Sequence, residues 1–263
     1  MNITLHPLLL FAVSLLLLLF FAWVGARYRR RRRALEPDAQ QDFSLVIGAT
    51  LTLLGLIIGF TFSMALTRYD LRKNYEEAEA NAIGTEYLRA DLLPAADAAR
   101  VRALLVEYTD QRILYYTVDN EGQIRQINER TALLQSELWS AVRAPATAQP
   151  TPVNALVVAG MNDVLNSQGY TQAAWWNRIP PAAWILMAAM AVCANILVGF
   201  ATGKSGALWV MPVVVSIAFF LIADIDTPRH GLIRVVPQNL LSLADSVRPQ
   251  PGMPATPPAR APR

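Results

Sequence analysis

The chain has 263 residues, 54% of them hydrophobic, with 23 Lys and Arg against 20 Asp and Glu for a net charge of +3. With a positive mean hydropathy, that is too apolar for an ordinary soluble protein and fits one with about a third of its length in lipid. One cysteine excludes a disulfide within one chain. The two histidines, His6 and His230, are too far apart to suggest a metal site, no cofactor is implied, and the small positive charge does not by itself indicate nucleic acid.

Residues 5–26 are almost unbroken Leu, Phe and Ala, enough for a span, which needs about 20 apolar residues. A signal peptide would carry positive charge before its apolar run. Here none precedes and Arg27 follows, so a retained anchor is expected. Arg27 and the arginines at 29–33 come next. Anionic-lipid or nucleic-acid binding is one reading of this run. A topology signal is the preferred one, because Lys and Arg flanking a span are held in the cytoplasm. It would place both termini and the large middle segment outside the cytoplasm.

Residues 43–67 form a second span and pass without proline into a charged helix that stops at Pro94. Gly55, Gly59 and Ser63 recur every four residues, a small-residue stripe suited to close helix packing. Thr52, Leu56, Phe60 and Met64 make a second stripe about 100° away. One stripe could pack on a partner while the other faces a shared axis, or both could simply pack. Just past the span, Arg68, Asp70, Arg72, Lys73, Glu76, Glu77 and Glu79 crowd together. They read as a solvated helix with Arg72–Glu76 and Lys73–Glu77 pairs at i, i+4, or as cations that gather anions around an axis.

Beyond Pro94 the pattern stays helical: 95–118, a turn at 119–122, 123–142, a loop at 144–152, and 153–167. Two further spans follow at 182–200 and 207–223, with Trp175, Trp176, Trp184 and Trp209 suited to the interfaces. Asn195 suggests a hydrogen bond between helices, and Cys193 a buried, inert thiol. ATGKSG between the spans fails as a phosphate loop, since Val198 stands where its first glycine belongs. After the last span, Asp224, Asp226, Pro228, Arg229 and Gly231 suggest a rigid docking element, with an aspartate pairing an arginine such as Arg68. No nucleophile–base set is evident, so an enzyme is not expected.

The expected fold is all-α: a multi-pass membrane protein with four transmembrane helices and a helical extramembrane domain between the second and third. Its parts would be a membrane hairpin at 1–67, the helical domain at 68–179, a second hairpin at 180–223, a docking segment at 224–247 and a Pro-rich, disordered tail at 248–263.

Gly59-Phe60, Arg68-Tyr69 nine residues after the glycine, then Arg72 and Lys73, resemble the second transmembrane helix of the bestrophin anion channels. Glu79 to Thr85 (EANAIGT), Leu88 to Pro94 (LRADLLP) and the run from Asp224 through Pro228-Arg229 and Gly231 to Val235 are similar to motifs of the bacterial bestrophin-like family. The resemblance implies a homo-oligomer, pentameric in bestrophins, that conducts inorganic anions such as chloride across the bilayer of the bacterial inner membrane. It implies a constriction at Thr52, Leu56 and Phe60, Thr52 departing from the apolar type, and anion attraction by Arg68 and Arg72. It also implies termini and a helical domain in the cytosol, against the lean given by the arginine run. Eukaryotic bestrophins carry a calcium-binding acidic run after a similar proline. Arg229 and His230 stand there instead, so calcium gating is not implied. The alternative is a non-conducting scaffold or sensor whose helical domain binds a protein partner. A second helix with both stripes buried within one chain would favour it.

Overall fold

The computed structural model describes residues 6–30, 37–202, 206–229 and 231–248. Arg31 to Arg33, part of the ATGKSG loop, His230 and the Pro-rich tail from 249 lie outside the described residues. Among those described, every regular element is a helix. The helices are α1 (Pro7–Arg30), α2 (Pro37–Arg89), α3 (Ala95–Thr117), α4 (Glu121–Ala148), α5 (Pro152–Trp176), α6 (Pro181–Thr202), α7 (Val210–Asp226) and α8 (Gln238–Val247). Four of them begin on a proline, whose missing N–H costs nothing at the first helical position and whose fixed φ already suits a helix.

Helix α2 is unbroken over 53 residues, about 80 Å at the α-helical rise. It tightens into a 3-10 turn at Ala90–Leu92 and ends before Pro94. Helix α4 departs from expectation, because it runs through Pro145 to Ala148 where a loop was expected. The Pro145 ring is buried, and its carbonyl still accepts from Gln149 N at 2.9 Å. Packing thus holds one further turn past the bond that proline removes. Helix α5 continues to Trp176, well beyond the expected end near Ser167. Helix α8 was not anticipated within the 224–247 segment.

Among the described residues, three helices are long and apolar enough to cross a membrane: Pro7–Arg30, a stretch within Gln40–Leu92 and a stretch within Pro152–Thr202. In the last, residues 177–180 are not helical, and the apolar part is α6. The expected fourth span falls on α7, whose 17 residues reach about 25 Å, short of a hydrocarbon core of about 30 Å.

The chain divides into two compact units. The first is Met1–Tyr75 with Tyr170–Val235, the second Glu76–Gly169 with Val236–Arg263. In the first, α1 packs on α6 and α7. A Cβ on Gly25 would overlap the Ile196 carbonyl, and one on Gly199 the Ala22 carbonyl. Backbones approach closely here because those side chains are absent. Leu18, Leu54, Ala65, Met187, Ala191, Val215, Phe219 and Ile222 form the core. Asn195 is buried but donates to Ala191 O in its own helix at 2.8 Å, not across to another helix. Cys193 lies exposed on α6 rather than buried, and Trp175 is buried rather than interfacial.

In the second unit, α3 pairs with α4, and α8 lies against α3. Val101, Leu105, Tyr108, Leu134, Leu138, Val142 and Leu240 are buried. A fully buried ion pair, Glu79–Arg112, sits among them, with the Arg112 guanidinium 4.6 Å from the Tyr115 ring centroid. Burial works against the Arg112 charge, but Glu79 and Tyr108 more than offset it, holding its pKa above the ordinary value.

Candidate functional site

Within the first unit, the buried face of α2 carries Leu54, Thr61 and Ala65. Residues 52, 56, 60 and 64 lie on another face. Thr52 is exposed, Leu56 is 50% exposed and Phe60 65%. The Thr52 hydroxyl donates to Gly48 O at 2.9 Å, a return to its own helix. Gly55, Gly59 and Ser63 are exposed too, and a Cβ on either glycine would meet nothing within 4 Å. Both stripes are therefore left uncovered by the described residues of the single chain. The close packing that small residues permit occurs instead between α1 and α6.

The arginines one turn beyond divide. Arg68 is half-buried and donates to the Asn177 side-chain carbonyl. Arg72 is 1% exposed. Its Nε donates to Ala174 O at 3.3 Å, one terminal nitrogen to Ile225 O at 3.2 Å, and the other to Asn177 O at 3.3 Å and Asp226 O at 3.2 Å. These carbonyls end α5 and α7, where helices leave acceptors unpaired and carry partial negative charge. Arg72 is thus an internal clamp on two helix C-termini, and its donors do not face solvent anions. The anticipated Arg72–Glu76 pair gives way to these bonds. Glu76 is itself buried and accepts from Asn239 Nδ2 at 2.7 Å and Leu240 N at 2.9 Å.

The segment after α7 is built around its carboxylates. Asp224 accepts from Leu232 N at 2.7 Å and Ile233 N at 2.8 Å. Asp226 accepts from Ile179 N, its nearer oxygen at 3.1 Å. Both carboxylates hydrogen-bond backbone amides, and Asp226 also feels the charges of Arg72, Arg68 and Arg178, so the expected arginine contact is electrostatic rather than a direct hydrogen bond. A Cβ on Gly231 would press on the Asp224 carbonyl, so this turn closes only over glycine. Pro228 is buried, and the Arg229 guanidinium lies 4.4 Å from the Trp175 ring centroid, a cation–π contact.

Sequence reasoning missed the buried charges of α2. Residues 58, 65, 72, 79 and 86 are seven apart, two helical turns, and so share a face. The apolar Ile58 and Ala65 mark that face as inward, and Arg72, Glu79 and Glu86 follow on it. Among the described residues, no three His, Cys, Asp or Glu side chains gather as a metal site would need.

A family model described as Bestrophin-like domain matches residues 11–240. Among solved structures, bacterial bestrophin homologues from Klebsiella pneumoniae are similar. A point-mutant form is 17% identical with TM-score 0.61, covering 89% of this chain and 98% of that one. A form phased on zinc gives the same values, and a second mutant is 15% identical with TM-score 0.63, covering 89% and 97%. At this identity the likeness is one of fold. No match is found among curated proteins.

Proposed function

The chain belongs to the bestrophin-like family, and from that premise we propose that it forms a homo-oligomeric anion channel in the bacterial inner membrane, with α2 of each copy lining a shared axis. The observation that supports this most is the uncovered face of α2. Leu56 and Phe60 stand exposed on a helix whose opposite face is in the core. One chain has too few apolar helices to enclose a pore, so several copies would supply it, five by analogy with bestrophins. Leu56 and Phe60 would then form an apolar constriction that gates by dewetting, with Thr52 as its wetter end. Arg68 remains the candidate for drawing anions toward it, while Arg72 braces the helices around it. Coverage of both α2 stripes within one chain would have favoured the scaffold reading, and neither is covered by the described residues.

The packing within the second unit supports the reading of four spans. Helix α8 packs on α3, so the chain must return to the side it left between these helices. If α6 crosses, α7 must cross too.

The test is chloride flux into liposomes holding the purified protein. Replacing Leu56→Ala and Phe60→Ala together is expected to raise flux several-fold by widening and wetting the constriction. Unchanged flux would put the gate elsewhere. No flux from either protein, when both are folded and correctly inserted, would overturn the channel.

A further inference from the structure

A groove in the second unit lies between the end of α4 and the start of α5. It has a volume of about 780 Å³ and a mostly apolar wall, lined by Trp139 and Ala146 of α4, Pro150 of the turn, and Ala155, Ala159 and Asn162 of α5. Ala155 and Ala159 are exposed and Trp139 is half-buried. The alanines leave room beside the indole, which offers an incoming chain a broad apolar surface and an N–H donor. Aromatic-lined grooves take proline-rich segments, whose polyproline II backbone is already extended and loses little entropy on binding.

The chain carries such a segment, and it starts close by. Helix α8 runs along α2 in the same direction, with Leu240 N donating to Glu76 and the Tyr87 hydroxyl to Val247 O. The chain therefore leaves α8 beside Tyr87. On the same turn of α2, Glu86 Oε2 and Arg89 Nη1 lie where a Cβ on Gly160 would overlap them, so that turn also bears on α5 beside the groove. Crossing from α8 over α2 to α5 takes two helix-packing distances, about 20 Å. Residues 249–263 reach about 46 Å as polyproline II. Within them Pro251, Pro254 and Pro257 recur every three residues, the period of that helix, so they would share one face. That face is about 19 Å long, against about 15 Å along α5 from Pro152 to Asn162, both of which line the groove. We propose that the groove is a docking site for this chain's own C-terminal segment, with Pro251 to Pro257 lying against Trp139 and the alanines of α5. Tethering gives the segment an effective concentration in the millimolar range, which favours it over a free partner. The site holds whether or not the protein conducts.

The experiment is disulfide trapping in the full-length protein in membranes, on a Cys193→Ser background because that thiol is exposed. Ala255→Cys in the segment is paired either with Ala159→Cys in the groove or with Leu133→Cys, exposed elsewhere on α4. Position 133 is also within the segment's reach, since Arg248 pairs with Asp110, one turn from the Glu107–Arg130 pair. Mild oxidation should join 255 to 159 about tenfold faster than to 133, read as loss of both thiols from a single-chain band. Pro251→Ala, Pro254→Ala and Pro257→Ala together change only the segment and should bring the two rates level. Equal rates to 159 and 133 in the parent, or a preference for 159 that survives loss of the prolines, overturns the docking. A cross-linked product of two chains means that a second copy's segment fills the groove, and overturns docking within the chain.

Discussion

Glu86 is a buried carboxyl, and neither of its oxygens is hydrogen-bonded among the described residues. It occupies room left by Gly160, where a Cβ would overlap its Oε2. Glu79, one heptad earlier on the same helix, is equally buried but has Arg112 as a partner. Burial raises the Glu86 carboxyl to about 8; Arg89 opposes the shift and Asp163 adds to it. The folded protein thus keeps a proton that the unfolded chain releases near the ordinary carboxylate value of 4.5. The stability this neutral form contributes is complete below that value and is lost progressively as pH rises through 8. Glu86→Gln cannot ionise. Thermal unfolding in detergent should give equal melting temperatures for variant and wild type near pH 5. At pH 8.5 the variant should melt several degrees higher, with a flatter profile between. A wild-type profile already flat over that range would mean Glu86 is not held neutral.

At the scale of the element, α2 is fixed to its neighbours by a residue rather than by a loop. Arg72 supplies hydrogen bonds to four carbonyls at the ends of α5 and α7. A guanidinium presents five donors in a planar fork, whereas an ammonium is a point charge with three. Arg72→Lys would keep the charge and leave carbonyls unpaired, each costing about 1–3 kcal/mol. The melting temperature should fall clearly, while Arg68→Lys, at a half-exposed position, should change it little. Equal effects from the two would deny the clamp. The length of α2, its stop before Pro94 and the bounds of α3 were legible in the sequence, because proline placement and apolar periodicity report local structure directly. Burial of Arg72, Glu76, Glu79 and Glu86 was not, since charge on a helix ordinarily marks a solvent face and their partners lie as many as 164 residues away. The turn of α4 past Pro145 and the presence of α8 were hidden for the same reason. Tertiary packing decides both, and it overrides the local signal of proline in one and of a short polar stretch in the other. The α2 stripes were visible as spacing, but spacing alone could not tell that both are uncovered.

For the whole molecule, side and number of crossings are coupled to the contacts within the second unit. Helices α3 and α8 touch, so residues near Gln149 and near Asp245 must share a compartment, although α6 and α7 lie between them in sequence. On the proposed four-span reading, α7 crosses with 17 residues. The 3-10 turn at Gly206–Trp209 just before it adds about 8 Å at its steeper rise, enough to make up the shortfall against a core of about 30 Å. The arginine run argues for an extracytoplasmic second unit, and the family's arrangement for a cytosolic one. The topology rule has exceptions where other segments dominate, so we propose, against the lean of the arginine run, the cytosolic arrangement that the resemblance to bestrophins implies. Single cysteines at Gln41, Gln149 and Asp245, all exposed, would be probed with a membrane-impermeant thiol reagent on intact spheroplasts and on inverted vesicles. The background must be Cys193→Ser, because the native thiol is itself exposed. Positions 149 and 245 should react only in inverted vesicles and position 41 only in spheroplasts. The mirror-image result would mean that the arginine run sets the orientation. Opposite sides for 149 and 245 would mean that α7 does not cross, and the packing of α8 on α3 could not then exist in the membrane.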